Sequence, residues 1–333
     1  MKTRMIQAVA LSVAVSFASQ ARAAELLLPK DGWASWQVEA VEDSPSWCCW
    51  SSWDESVATE MTCKLDGDRQ GYGTRGKATT EAVRVYAHFK GGKVERLRVL
   101  SATCPVETKA PIQNLDNVAT DDSARWLTGL TRQNAPLAHE NFEDDVLAAL
   151  AMHRGEVAMG ALSGMARSHP RVETRKQASF WLAEVRGTTG AEVVSAMMFN
   201  DKDAEVRKHA EFALTQSKSP RIAADLIKVG NTDAVSDVRA QSWFWLAQTG
   251  AANAEEAIIA ASKQDPDDHV REQAIFALSQ LPDERSTNAL IAAVEDRSLA
   301  REQRKRALFW LAQSESAGAQ AYLEKMLVGN TAR

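Results

Sequence analysis

An eight-residue block recurs five times in the second half of the chain: RKQASFWL, RKHAEFAL, RAQSWFWL, REQAIFAL and RKRALFWL. The blocks begin at Arg175, Arg207, Arg239, Arg271 and Arg304, a spacing of 32 residues that becomes 33 at the last step. A unit this short cannot bury its apolar face alone, whereas stacked copies can, so the repeat predicts an elongated array in which each unit packs on its neighbours.

Steps of 100° per residue place Ala178, Trp181 and Leu182 on one inward arc. The equivalent sets are Ala178, Ala210, Ser242, Ala274, Ala307 and Leu182, Leu214, Leu246, Leu278, Leu311. Between them large and small residues alternate as Trp181, Ala213, Trp245, Ala277 and Trp310. Interdigitation of that kind is what close packing demands, so these are expected core residues. A second helix follows each block, with Val194, Leu226, Ile258, Leu290 and Leu323 at its shared core position. Ser219-Pro220, a capping box of Asn253 with Glu256, and Leu281-Pro282-Asp283 are the expected punctuation between helices. The repeated arginine lies at the edge of the apolar arc. Loop carbonyls of adjacent repeats are its expected partners, as are the carboxylates of Glu173, Glu205, Asp237 and Glu302, each two residues before an arginine.

One stripe is harder to assign. Phe180, Phe212, Phe244, Phe276 and Phe309 fall about 100° from the inward tryptophan. Beside them stand Gln177, His209, Gln241 and Gln273, then Gln216, Gln248, Gln280 and Gln313. The stripe either packs each first helix on the next or forms a docking ribbon for a partner. If it docks, Phe180, Phe212, Phe244, Phe276, Phe309, Gln241, Gln248, Gln273 and Gln280 are its binding residues. Packing is the first reading, because contiguous exposed apolar patches are uncommon on soluble proteins.

The other end of the chain has a different character. Positive charge in MKTR, a short apolar run from Met5 to Ala18 and the small-x-small site Ala21-Arg22-Ala23 read as a signal peptide cleaved after Ala23. The run is shorter than the ~20 residues a membrane span needs. Without Lys2, Arg4 and Arg22 the formal charge moves from −5 to −8. Such an acidic chain lacks the basic stripe of a nucleic-acid binder. Its length exceeds what one compact core holds, so two units are expected.

Residues 24–110 show no helical rhythm. AVRVYAHF, Gly91-Gly92 and VERLRVLS read as a β-hairpin, and Gly32 to Val41 and Ala58 to Leu65 alternate likewise. Cys48, Cys49, Cys63 and Cys104 all lie here, and in an oxidising compartment they are expected to form two disulfides. Adjacent cysteines bond only under strain, so Cys63 and Cys104 each pair with one of the vicinal pair, in an order left open. The spacing fits neither a Cys-x-x-Cys redox pair nor a zinc site. Trp33, Trp36, Trp47, Trp50 and Trp53 are five of the ten tryptophans. They are expected to fill a small core against the disulfides, and otherwise to form an aromatic platform. Gly71 to Gly76 matches GxGxxG without a following helix, and Asp66, Asp68 and Gly71 imitate half an EF-hand loop with Gln70 and Lys77 in ligand places. Neither carries a site.

The expected organisation is therefore a signal peptide over 1–23, a small Trp/Cys-rich β domain over 24–110, and a connecting segment with a short helix capped by Thr120 over 111–135. A capping helix pair over 136–167 and five helical repeats over 168–333 complete it. The fold class is mainly α, an α–α superhelix preceded by a small disulfide-bonded antiparallel β domain.

The array resembles HEAT-like repeats of the phycobilisome-lyase type, with their alanines and closing Ala-Leu. It is most similar to exported bacterial HEAT-repeat proteins, through QAIFALSQLPDERS and RALFWLAQS. CCW, Cys63, SATCP and the later Trp126-Leu127 resemble the domain upstream of the repeats in those proteins, so the likeness spans about residues 33–328. It implies a HEAT-like solenoid in the periplasm or outside the cell, in envelope signalling or scaffolding. It does not carry lyase chemistry, and the Phe stripe departs from the polar residue usual at that position.

No catalytic constellation accompanies the repeats. His88, His139, His153, His169, His209 and His269 are scattered, and Gly160 to Gly164 lacks the spacing of a nucleophile elbow. Asp201, Asp203, Asp265, Asp267 and Asp268 are expected as helix caps rather than metal ligands. No enzyme, cofactor or metal is expected. The expectation is an adaptor that binds a protein or peptide partner in the cell envelope, with a small-ligand or cell-wall sensor built on the Trp-rich domain as the alternative.

Overall fold

The computed structural model describes residues 26–51, 59–67, 72–132 and 142–331. The signal-peptide segment, Trp53, Asp68, Gln70, Gly71 and His139 lie outside the described residues. The first part of the chain forms β1 (Gly32–Glu39), β2 (Pro45–Trp50), β3 (Glu60–Met61), β4 (Cys63–Lys64), β5 (Tyr72–Thr79), β6 (Ala82–Lys90), β7 (Lys93–Ser101), β8 (Val106–Glu107) and β9 (Ile112–Asn114). The main sheet has the order β7-β6-β1-β9. Its β6–β7 hairpin turns at Gly91 and Gly92, whose φ angles of 58° and 77° are those a tight hairpin turn needs.

Period-two alternation gives this sheet two covered faces. Ala34, Trp36, Val38, Val83, Val85 and Leu97 point into a large core shared with the helices. Trp33, Tyr86 and Leu100 point the other way, onto the four cysteines and Leu65. The β region is therefore the middle of a sandwich rather than a module apart. It also runs past the expected boundary at 110, because β9 pairs in parallel with β1. The stretch 58–65 is not one strand: β3 pairs with β2, whereas β4 pairs with β8.

The helices are α1 (Thr120–Arg132), α2 (Phe142–Met152), α3 (Glu156–Ser168), α4 (Val172–Val185), α5 (Gly187–Asn200), α6 (Ala204–Thr215), α7 (Ile222–Thr232), α8 (Ser236–Gln248), α9 (Ala254–Gln264), α10 (Asp268–Ser279), α11 (Asp283–Glu295), α12 (Arg301–Ala312) and α13 (Ala317–Thr331). From α4 onward they come in five pairs, each opening on a repeat block. The repeated Ala/Ser and Leu positions are completely buried in all five, as are Val194, Leu226, Ile258 and Leu290, while Leu323 in α13 is half-buried.

Loop chemistry differs from expectation at two places. Asn253 precedes α9 but makes no side-chain cap, so the capping box with Glu256 does not form. Ser219 accepts the Arg221 N–H across a turn, and α7 starts only at Ile222. Asp203 and Asp267 do cap α6 and α10, accepting from the N–H groups of Glu205 and His269.

A buried relay joins sheet to helices. Trp36 Nε1 donates to Ser123 Oγ at 2.8 Å, and Ser123 donates to His153 Nε2 at 2.7 Å. His153 then carries its proton on Nδ1, 2.6 Å from the Ala149 carbonyl. Burial, aided by the Arg186 charge, lowers the His153 pKa to about 4, so the ring is neutral at physiological pH. Arg98 and Asp145 add an ion pair at 3.0 Å between β7 and α2. Burying a tryptophan such as Trp36 contributes on the order of 4–6 kcal/mol. Sheet and first helices are thereby held as one body.

Candidate functional site

The phenylalanine stripe is a continuous ribbon of rings along the first helices. Phe180 stacks on Phe212 at 6.4 Å with 10° between planes, and Phe244 on Phe276 at 6.0 Å with 4°. Between these stacks a tryptophan intervenes: Trp245 lies 5.4 Å from Phe212 and 4.8 Å from Phe244. Trp310 likewise lies 4.8 Å from Phe276 and 5.0 Å from Phe309. The large–small alternation read from the sequence explains the pattern. Where the following block carries Ala213 or Ala277 the two phenylalanines meet directly; where it carries Trp245 or Trp310 an indole separates them. Each ring pair contributes about 0.5–1.5 kcal/mol beyond its burial.

Packing and exposure coexist on this ribbon. Phe180, Phe212, Phe244 and Phe276 are half-buried, whereas Phe309 at the far end is 50% exposed. Trp245 and Trp310 are themselves only partly buried, a correction to their placement as full core, and their Nε1 atoms have no acceptor among the described residues. The residue in the interior is Trp243, 1% exposed and packed so closely on α7 that a Cβ on Gly230 would lie 2.6 Å from its ring. No repeat pattern marks it, because the equivalent positions hold Ser179, Glu211, Ile275 and Leu308.

The glutamines divide into two kinds. Gln241 donates from Nε2 to the Lys208 carbonyl at 2.8 Å, which ties α8 to α6. Gln273 is half-buried and lines a groove of about 230 Å³ with Glu272, Phe276, Arg306 and Trp310. Gln248 and Gln280 meet at 3.5 Å on the surface, and Gln216 and Gln313 are exposed in the same row. At the other end Trp47 of β2 packs on Trp181 at 5.4 Å, so the ribbon begins on the β region. His209 lies against Phe212 at 5.7 Å, and burial with the nearby Lys176 charge lowers its pKa to about 4.

The arginine row is a structural ladder. Arg175, Arg207 and Arg239 fork onto the carboxylates of Asp201, Asp233 and Asp265 at 2.7–3.0 Å. Each also donates to the preceding loop carbonyl, of His169, Asp201 or Asp233, at 2.9 Å. The expected carboxylates two residues upstream serve elsewhere: Glu173, Glu205 and Glu302 pair with Lys176, Lys208 and Lys305, and Asp237 with His269. Asp201, Asp233 and Asp265 stand at the C-caps of the second helices, 26 residues beyond each arginine. Burial would raise the carboxyls of Asp233 and Asp265, but the guanidinium forks and the N–H groups of Val235 and Asp267 hold both below the usual range.

The cysteines pair as Cys48 with Cys104 and Cys49 with Cys63, each bond starting from one member of the vicinal pair. Trp33 and Trp36 are 1% and 0% exposed, so they are core residues and offer no platform. Trp33 Nε1 donates to Asp66, which also accepts from Thr108 and from the Lys109 N–H. That gives Asp66 a loop-fixing role. Among the described residues no three His, Cys, Asp or Glu side chains are grouped to hold a metal. No described helix is long and apolar enough to cross a membrane.

Residues 232–312 match the family model for HEAT repeats. The helical array is HEAT-like. Among solved structures the chain is similar to human deoxyhypusine hydroxylase in complex with glycerol, at 14% identity and a TM-score of 0.26, over 61% of this chain and 77% of that one. It is also similar to the Mot1 N-terminal domain in complex with TBP, at 12% identity and a TM-score of 0.32, over 62% of this chain and 28% of that one. No curated protein matches the chain. The matched segment spans α8 to α12 in full, the HEAT-like units in which Phe244 and Phe276 stack.

Proposed function

We propose that this protein is an exported HEAT-repeat adaptor that holds an extended segment of a protein partner in the cell envelope along its aromatic ribbon, without catalysing a reaction. The observation that carries this reading is the ribbon itself: half-buried rings in four consecutive repeats, an exposed Phe309 and a parallel row of exposed glutamine amides. Rings supply rigid apolar contact, and amides can bond a peptide backbone on both its donor and acceptor sides. Export is supported by the leader-like first 23 residues and by two disulfides, which persist in oxidising compartments.

A photo-crosslinking amino acid at Gln248, beside the ribbon, compared with one at Glu256 on a second helix, tests the proposal in cells that make the protein. The expected result is one specific adduct from position 248 only. Rebinding of that purified partner should weaken about tenfold in Phe309→Ser, the loss of one anchor worth about 1.4 kcal/mol. Equal crosslinking from both positions, or unchanged affinity of Phe309→Ser together with Gln248→Ala, would remove the ribbon as the binding surface.

A further inference from the structure

On the sheet face that carries the disulfides, the cysteine-bonded layer packs on Trp33, Tyr86 and Leu100, while the exposed Gln37 and the half-buried Arg84 lie beside it, with the fully buried Ser35 accepting from Arg84. The backbone beyond β9, through Asn117, walls this area into a groove of about 630 Å³, the size of a small-molecule site.

Two observations mark the groove as built to receive a ligand. Arg84 reaches only neutral acceptors: Ser35 Oγ at 3.2 Å, Asn114 Oδ1 at 3.4 Å and Gln37 Oε1 at 3.4 Å. No carboxylate pairs with it among the described residues, in contrast to the arginines of the repeat ladder. The second observation is Tyr86, two residues along β6 on the same face. It is 4% exposed, lines the groove, and its hydroxyl has no hydrogen-bond partner among the described residues. A guanidinium without a counter-charge and an unpaired phenol two residues along the same strand line one groove, and both are donor types that recognise a carboxylate. Burial raises the Tyr86 pKa, which keeps the phenol a donor at neutral pH.

We infer that this groove binds a hydroxylated small-molecule carboxylate of the sugar-acid type, with the carboxylate on Arg84 and Tyr86. The amide N–H groups of Gln37 and Asn114, whose oxygens already accept from Arg84 and Ser35, and the amide of Asn117 take the hydroxyl groups. Asp116 also lines the groove and is exposed, so a ligand with a second negative charge is disfavoured.

The test is titration of the full-length protein, by calorimetry and by NMR of the labelled chain, with glucuronate and galacturonate and with glucose as the uncharged control. At least one acid should bind saturably with Kd of about 1 mM or tighter, and glucose at least about tenfold more weakly, since hydrogen bonds to a charged group are worth about 1.5–3 kcal/mol. Arg84→Gln should abolish that difference, Tyr86→Phe should weaken the acid severalfold, and Asp116→Asn should strengthen it. No saturable binding of either acid overturns the proposal, as do equal affinities for acid and glucose, or an Arg84→Gln variant that binds as the parent does. If Arg84→Gln fails to fold, Tyr86→Phe decides alone: it removes one oxygen, and unchanged affinity overturns the assignment.

Discussion

Phe244 and Phe276 lie face to face across a repeat boundary, their planes 4° apart and their centroids separated by 6.0 Å. They meet because the second block carries Ala277 beside Phe276, where the blocks on either side carry Trp245 and Trp310. Changing both rings to serine removes one full stack and the contacts with Trp245 and Trp310. Because the rings are half-buried, the double variant should lose about 2–4 kcal/mol, less than two fully buried phenylalanines would cost. Denaturant unfolding followed by far-UV circular dichroism measures this. A loss below about 0.5 kcal/mol would reassign the stack from packing to exposed surface alone.

The ladder aspartates should be sensitive. Asp233 takes a fork from Arg207 and also supplies the carbonyl that Arg239 uses. Asp233→Ala leaves the largely buried Arg207 guanidinium unpaired, a change expected to cost about 3–5 kcal/mol. Asp237→Ala, which removes an exposed pair with His269, should change stability by no more than about 1 kcal/mol. Thermal unfolding of the two variants side by side checks the contrast.

Glu211 predicts an unusual pH dependence. It is completely buried between α6 and α8 and accepts from Ser242 Oγ at 2.7 Å, while its second oxygen has no partner. Burial pushes its pKa up to about 9, opposed by the Ser242 bond. Between the ordinary carboxylate pKa and that value the folded chain keeps a proton that the unfolded chain releases, so this group destabilises the fold progressively as pH rises through the window. Glu211→Gln keeps an acceptor for Ser242 and removes the titration. Its stability advantage should grow from pH 5 to pH 9, by up to about 1.4 kcal/mol per pH unit. An advantage independent of pH would show that the wild-type carboxyl is not protonated in the fold.

The disulfide pattern gives a chemical prediction. The bonds close loops with sequence separations of 56 and 14, worth about 4 and about 3 kcal/mol respectively by loop entropy. In Cys48→Ser the Cys49–Cys63 bond should persist and Cys104 should be the only reactive thiol. Thiol labelling with peptide mapping reads this directly, and a label on Cys63 would contradict the pairing.

Much of this was legible in the chain. Block spacing located five helix pairs, and helical geometry located the Ala, Leu and second-helix core, because those positions recur in every repeat. Trp243, Glu211 and Gly230 were illegible for the opposite reason: each occurs once, so no periodicity marks it. The Arg–Asp ladder was hidden differently. Its carboxylates lie 26 residues downstream, at a separation that only the fold brings to 3 Å or less.

The sequence by itself determined the array, its period, the β-hairpin and the need for two disulfides, since these follow from local geometry repeated along the chain. Tertiary structure alone decided which cysteine meets which, which ring meets which, and that the sheet is sandwiched between the helices and the disulfide layer. It also decided that Arg84 and the edge of the buried Tyr86 line a groove that Trp33 does not reach. Contacts between residues far apart in sequence depend on the whole packing, and no local pattern encodes them.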